Sequence, residues 1–281
     1  MAPASEMTHV DKRKAQAAYS ALDVDASAAT HATRVSGGHD EDHSNVGSRL
    51  KTLVFGGLDG ILTSFAIVSS CAGSEMDARV VLLLGACNIL ADALAMGVGE
   101  YLSTKSSDEY ARRERAREDW EMRNHPEGEI DEMIEIYVQR GMSKADATTV
   151  ISTMSKYHDF FVDVMMVEEL GLQVPEPDSN VEAAKDGFLM FLAFVCFGSM
   201  PLLGYVIFPR LLGERAMSPH DLFLAACAVT SVTLFALGAA KSSFVQGSAL
   251  RLGAETLALG ALCASVAYSA GVVLSAALGG A

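Results

Sequence analysis

Two glutamate pairs, Glu118/Glu121 and Glu129/Glu132, and a Met165-Met166-x-x-Glu169 group share one acidic stretch of the sequence. Residues three or four apart on a helix lie on one face, so each pair can turn two carboxylates toward a single ion, and Glu169 falls one turn after the two methionines. Carboxylate oxygen mixed with thioether sulfur suits a borderline divalent cation such as Fe²⁺, Mn²⁺, Co²⁺ or Zn²⁺ better than Ca²⁺ or Mg²⁺, which take all-oxygen shells. The same spacings also describe a solvated acidic face and two core methionines, and spacing alone leaves both readings standing. The neighbouring acids Asp108, Glu109, Glu114, Asp119, Asp131, Glu135, Asp163 and Glu168 are too many to be ligands, and are expected to be solvated or paired with the arginines among them.

A second set of polar groups lies inside apolar sequence. Asn88, Asp92, Met96 and Glu100 recur every four residues and form one helical stripe of oxygen, sulfur and carboxylate groups, where a packing stripe would be apolar and small. Asp59 sits in Gly56-Gly57-Leu58-Asp59-Gly60, also in an apolar run. A carboxylate there must face a cavity or a partner, because its burial among lipid tails is costly. Glu255 is read either as a proton acceptor or as an interfacial acid.

These residues need elements to hold them. The chain has 281 residues, is 50% hydrophobic with a mean hydropathy of +0.26, and carries a formal net charge of -14. High hydropathy and high acidity coexist only if they are segregated: between Asp108 and Glu182 there are 19 Asp/Glu against 8 Lys/Arg. The organisation is a membrane domain with an acidic insert. Five windows satisfy the ~20 apolar residues that a helix needs to cross a bilayer: Leu50–Ala72, Arg79–Leu102, Gly187–Phe208, His220–Ala240 and Leu252–Leu278, the last tilted or interrupted. The insert, residues 104–185, is expected to fold as three helices, near Ser106–Arg123, Glu129–Gln139 and from an N-cap at Ser143 to Gly171. Residues 1–48 read as a disordered cytosolic tail without a cleavable signal, in which His31, His39 and His43 are solvated. The remaining divisions are residues 49–103, the first two spans, and residues 186–281, the last three. Lys and Arg flanking the spans place the N-terminus and the insert in the cytosol. Acidity excludes nucleic acid as a partner, and the five single cysteines fit neither a zinc site nor a disulfide framework.

The phrases Gly57-Leu58-Asp59-Gly60, Thr63-Ser64-Phe65-Ala66 and Ala91-Asp92-Ala93-Leu94-Ala95-Met96-Gly97, running into Gly99-Glu100-Tyr101-Leu102-Ser103-Thr104-Lys105, resemble the vacuolar iron transporter family. The resemblance covers about residues 49–278. It implies an all-α membrane protein of five transmembrane helices, dimeric, with a cytosolic three-helix metal-binding domain inserted between spans 2 and 3. It further implies proton-coupled antiport of Fe²⁺ from the cytosol into a vacuole-like acidic compartment, with Mn²⁺ and other divalent metals also accepted. By position, the family's insert ligands fall on Glu118, Glu121, Glu129, Glu132, Met165, Met166 and Glu169, and its translocation path on Asp59 and Met96, to which the stripe adds Asp92 and Glu100. Ser48, Thr52 and Asn88 depart from acids that some relatives carry. The alternatives are a broad-specificity manganese and divalent-metal exporter, and a membrane-anchored metal buffer or sensor that does not transport. A di-iron enzyme would want Glu-x-x-His motifs on paired helices, and the insert has none.

Overall fold

The computed structural model describes residues 8–9, 14, 18, 21–32, 35–36, 42–176, 178–212, 218–243 and 245–279. The chain divides into two units, Met1–Ser48 and Arg49–Ala281. In the first, β1 (Thr8–His9) pairs antiparallel with β2 (Val35–Ser36), and α1 (Val24–Ala32) lies between them in sequence, its start capped by Asp23 Oδ1 accepting from the Ala26 amide at 2.9 Å. The rest of the expected disordered tail, and the side chains of His31, His39 and His43, lie outside the described residues.

The second unit is helical among its described residues. Helix α2 (Asp42–Gly73) contributes the membrane-length segment Arg49–Gly73, followed by α3 (Ala78–Asn124), α9 (Pro219–Ala240) and α10 (Ala249–Gly279) as apolar spans. The expected third span is broken: α7 (Ser179–Gly198) and α8 (Met200–Leu212) meet at Ser199 with a 41° bend and cross as a fifth span only if taken together. The last span is one uninterrupted helix.

Helix α3 corrects the expectation of a separate first insert helix. Its 47 residues make a rod of about 70 Å, more than twice the ~30 Å hydrocarbon core. Residues up to about Leu102 form the span, and the charged remainder runs straight on. No Gly or Pro interrupts the sequence between Gly99 and Pro126, and the pairs Lys105–Glu109 and Arg123–Asp119 support the exposed turns at i,i+4 spacing. The rod ends at His125, where Pro126 opens α4 (Pro126–Gln139).

The expected third insert helix is also two: α5 (Lys144–Met154), N-capped by Ser143, and α6 (His158–Glu168). Thr149, Thr153 and Ser155 turn their hydroxyls onto nearby backbone carbonyls just before the break, a local competition that weakens helix continuation. The break lets α5 pack on α4 while α6 packs on α3. Met122, Met133, Ile134, Ile151, Phe161 and Met165 close the insert's own core. In the membrane part, Phe65, Val68, Val81, Ile89 and Phe194 form another. The five cysteines are unpaired.

Two glycines set how closely α3 and α7 approach. A methyl group at Gly187 would lie 2.5 Å from the Gly97 carbonyl oxygen, and one at Gly97 would lie 2.7 Å from that of Gly187; contact this close between backbones requires the absence of Cβ. Gly187→Ala is therefore expected to destabilise the bundle by about 1–3 kcal/mol through overpacking. Gly99→Ala, whose new methyl meets nothing within 4 Å, should leave stability unchanged or raise it by up to about 1 kcal/mol. Thermal unfolding of the two variants in detergent separates these outcomes.

Candidate metal centre

The insert's ligand candidates come from three helices. Glu118 and Glu121 project from the extension of α3, Glu129 and Glu132 from α4, and Met165, Met166 and Glu169 from the end of α6. Glu118, Glu121 and Glu129 each place a carboxylate oxygen within 4.8 Å of the others. Glu169 joins the group, since the carboxylates of Glu118, Glu132 and Glu129 all act on it. Met165 and Met166 are both fully buried, Met165 within the insert's apolar core. The loop after α6 is tied back by the Leu172 amide donating to the Met166 carbonyl at 2.8 Å, which fixes where Glu169 sits.

Glu118 is the most telling member. It is 0% exposed, and neither carboxylate oxygen has a hydrogen-bond partner among the described residues; one oxygen of Glu169 is in the same condition. A buried acceptor without a donor is costly and rare in native folds. Burial, and then the surrounding carboxylates, push the Glu169 carboxyl up to about 7. Burial also raises Glu118, opposed by Arg117 and reinforced by Glu121, Glu129 and Glu114, and it raises Glu129, reinforced by Glu121 and Glu132. Carboxylates that repel one another in a dry site, next to buried thioethers, are chemically matched to a divalent cation that neutralises them.

Arg117 was not separable from the other arginines by sequence. Its Nη2 lies 2.8 Å from Glu118 Oε1, without hydrogen-bond alignment, and 2.9 Å from Glu114 Oε2, while Nη1 is 3.6 Å from Glu121 Oε2. The signal was present in its position: three after Glu114, one before Glu118 and four before Glu121. Among the outer acids, Asp163 pairs with Arg115 at 2.7 Å and Glu168 with Arg140, as expected, whereas Asp108 holds one buried oxygen without a hydrogen-bond partner among the described residues. Asp119, His158 and Asp159 also lie close together, but Asp119 already accepts from Arg123 and meets His158 Nε2 at 2.7 Å. That contact pins the start of α6 to α3.

In the membrane part, Asp59 on α2 faces Asp92 on α3 closely enough for the two carboxylates to repel. Asn88 Nδ2 donates to Asp92 Oδ2 at 2.7 Å, so the departure at Asn88 fixes the orientation of its neighbour on the stripe. Asn88, Asp92, Met96 and Glu100 are all half-buried on one face, and Met96 leans on the membrane core. At the neck between the two sites, Arg49 bonds Glu182 at 2.8 Å, and Asp186 holds one buried oxygen without a hydrogen-bond partner among the described residues. Asp186 escaped the sequence reading because its helix start looked merely polar. Glu255 pairs with Arg251 at 2.9 Å on an exposed surface, as an interfacial acid does.

The raised carboxyls dictate a pH response. Between the ordinary glutamate value and about 7, folded Glu169 keeps a proton that the unfolded chain has lost, so the metal-free fold loses stability as pH rises through this window. Metal binding requires the ionised form, so metal-induced stabilisation grows in the same direction. From about pH 5.5 to about pH 8, the melting temperature without metal should fall and the increment given by Mn²⁺ should rise. Glu169→Gln should flatten both trends; unchanged trends in that variant would remove Glu169 as their source.

A VIT family model matches residues 50–272 of the chain. A vacuolar iron transporter of Toxoplasma gondii is 40% identical over 275 residues, covering 96% of this chain and 90% of that protein. One of Plasmodium falciparum is 37% identical across 84% of this chain and 86% of its own length, and vacuolar iron transporter 1 of Arabidopsis thaliana is 31% identical across 82% and 88%. The family is one of transporters rather than enzymes. With membrane spans, an acidic insert and this extent of likeness, the chain belongs to the VIT family.

Proposed function

We propose that this protein is a proton-coupled antiporter that moves Fe²⁺, and other borderline divalent metals such as Mn²⁺, Co²⁺ and Zn²⁺, from the cytosol into an acidic vacuole-like compartment. The observation that carries the reading is the sharing of one rigid helix: α3 bears Asp92, Met96 and Glu100 inside the membrane part and Glu118 and Glu121 in the insert. A cluster that gathers a cation and a polar stripe that conducts it are thereby held in fixed register.

In this scheme Glu118, Glu121, Glu129, Glu132 and Glu169, with Met165 and Met166, collect the ion on the cytosolic side. Asp59 and Asp92, then Met96 and Glu100, receive it in the membrane. The affinity must be modest, since an ion held too tightly does not move on. Protons arriving from the acidic side compete for the pathway carboxylates and release the cargo, and alternating access returns the protons to the cytosol. A homodimer fits the surface of α3, where half-buried Asp92, Met96 and Glu100 border exposed Leu90, Leu94, Val98 and Leu102. Such carboxylates do not face lipid, and a second copy laid along this helix would cover them.

The decisive experiment is Fe²⁺ and Mn²⁺ uptake into proteoliposomes with an acid interior, comparing the natural chain with Asp59→Ala. Uptake that depends on the gradient is expected to be lost in the variant while metal binding by the insert persists. Equal uptake without a gradient would replace antiport by uniport. Metal binding with no flux in the natural chain would instead support a buffer or sensor.

A further inference from the structure

Among the groups gathered around the insert cluster, one has the wrong sign. The Arg117 guanidinium contacts Glu118 and Glu121 of the cluster and the neighbouring Glu114 at 2.8 to 3.6 Å. Glu129 from α4 and Glu169 from the end of α6 also feel its charge. It therefore interacts with carboxylates from each element that builds the cluster. Buried Glu118 has no other cation in contact and no hydrogen-bond donor among the described residues. The arginine side chain is 48% exposed, whereas Glu118 is buried. An exposed stem with a head reaching into a buried carboxylate can withdraw into solvent without disturbing the core.

We propose that Arg117 is a built-in placeholder cation, which neutralises the metal-free cluster and must be displaced by the incoming divalent ion. This deepens the reading of the cluster as a metal-collecting site and rests on it. The charge balance accounts for the arrangement: with the guanidinium in place, some repulsion among the carboxylates is relieved and the empty insert keeps its fold. When a divalent ion arrives, it supplies two charges where Arg117 supplied one, and the guanidinium turns outward. Each binding event then carries the cost of breaking the arginine contacts, which lowers affinity. Release is helped because Arg117 returns to the vacated carboxylates. Arginine suits this role because it stays charged at any physiological pH and its planar fork spans several oxygens at once. A lysine would offer a single point charge.

The test is titration of the purified full-length protein in detergent with Mn²⁺ and Co²⁺, by calorimetry and by thermal unfolding. It compares the natural chain with Arg117→Gln, Arg117→Lys and Arg123→Gln. The last removes the same charge from the same helix, but its partner is Asp119, outside the ligand set. Arg117→Gln should bind metal about tenfold more tightly, the scale of one partly buried ion pair. Its metal-free melting temperature should be lower and its metal-induced increment larger, while Arg117→Lys falls between and Arg123→Gln matches the natural chain. Unchanged or weaker binding by Arg117→Gln would overturn the proposal, as would equal tightening by Arg123→Gln, which would show only the effect of net charge. No metal binding by the natural chain would instead overturn the collecting-site reading itself.

Discussion

Carboxylates gathered away from water repel one another, and a fold that gathers them must hold them by other means. In this protein the holding is done by the apolar core of the insert. Phe161, Val162, Met165 and Met133 are fully buried within about two turns of a cluster glutamate, and Ile151 of α5 packs into the same core; their burial stabilises a geometry that the charges alone would open. The charged contacts at the edges, Arg115 with Asp163, Arg140 with Glu168 and His158 with Asp119, are partly exposed and individually small in energy. They serve to orient α6 on α3 and α4. The cluster is thus strained electrostatically and braced hydrophobically, a state that a cation improves without the fold having to change.

The second consequence is mechanical. From Asp92 to Glu118 is 26 residues of unbroken α3, a distance of about 39 Å along the axis. A rigid rod of this kind keeps the collecting cluster at constant height above the membrane stripe. It also means that any movement of the span is carried directly to two of the five glutamates of the cluster. Glu118 and Glu121 move with α3, whereas Glu129 and Glu132 lie past the break at His125 on α4 and Glu169 follows the end of α6. A change in the span can therefore alter the spacing of the ligand set.

The sequence disclosed the long apolar helices and the grouping of the acids well, because both are written in local periodicity. Runs of about twenty apolar residues identify bilayer crossings to within a few positions, and the i,i+3 spacing of Glu118/Glu121 and Glu129/Glu132 identifies shared faces. What it concealed follows from the same fact. The change of composition at Leu102 reads as an element boundary, although helix propensity passes straight through it. In the opposite case, the apolar phase from Ala147 and Ile151 continues into Val162 and Met165, so the break between α5 and α6 leaves no trace in the periodicity. The bend at Ser199 is hidden in a stretch that is uniformly apolar. Arg117 was obscured because four arginines lie within six residues, and only tertiary burial of Glu118 singles out the one that matters.

Asn88 illustrates how a neutral residue can orient a charged one on the polar stripe of α3. The asparagine amide occupies one oxygen of Asp92. An ionised aspartate can only accept, so the amide orientation is dictated: Nδ2 faces Asp92, and the Asn88 carbonyl oxygen points elsewhere. The stripe then presents Asp92 in a fixed orientation, with the Met96 sulfur one turn further on. Under the proposed function, this mix of oxygen and sulfur would hold a borderline divalent cation by softness and geometry as well as by charge, which keeps an ion exchangeable.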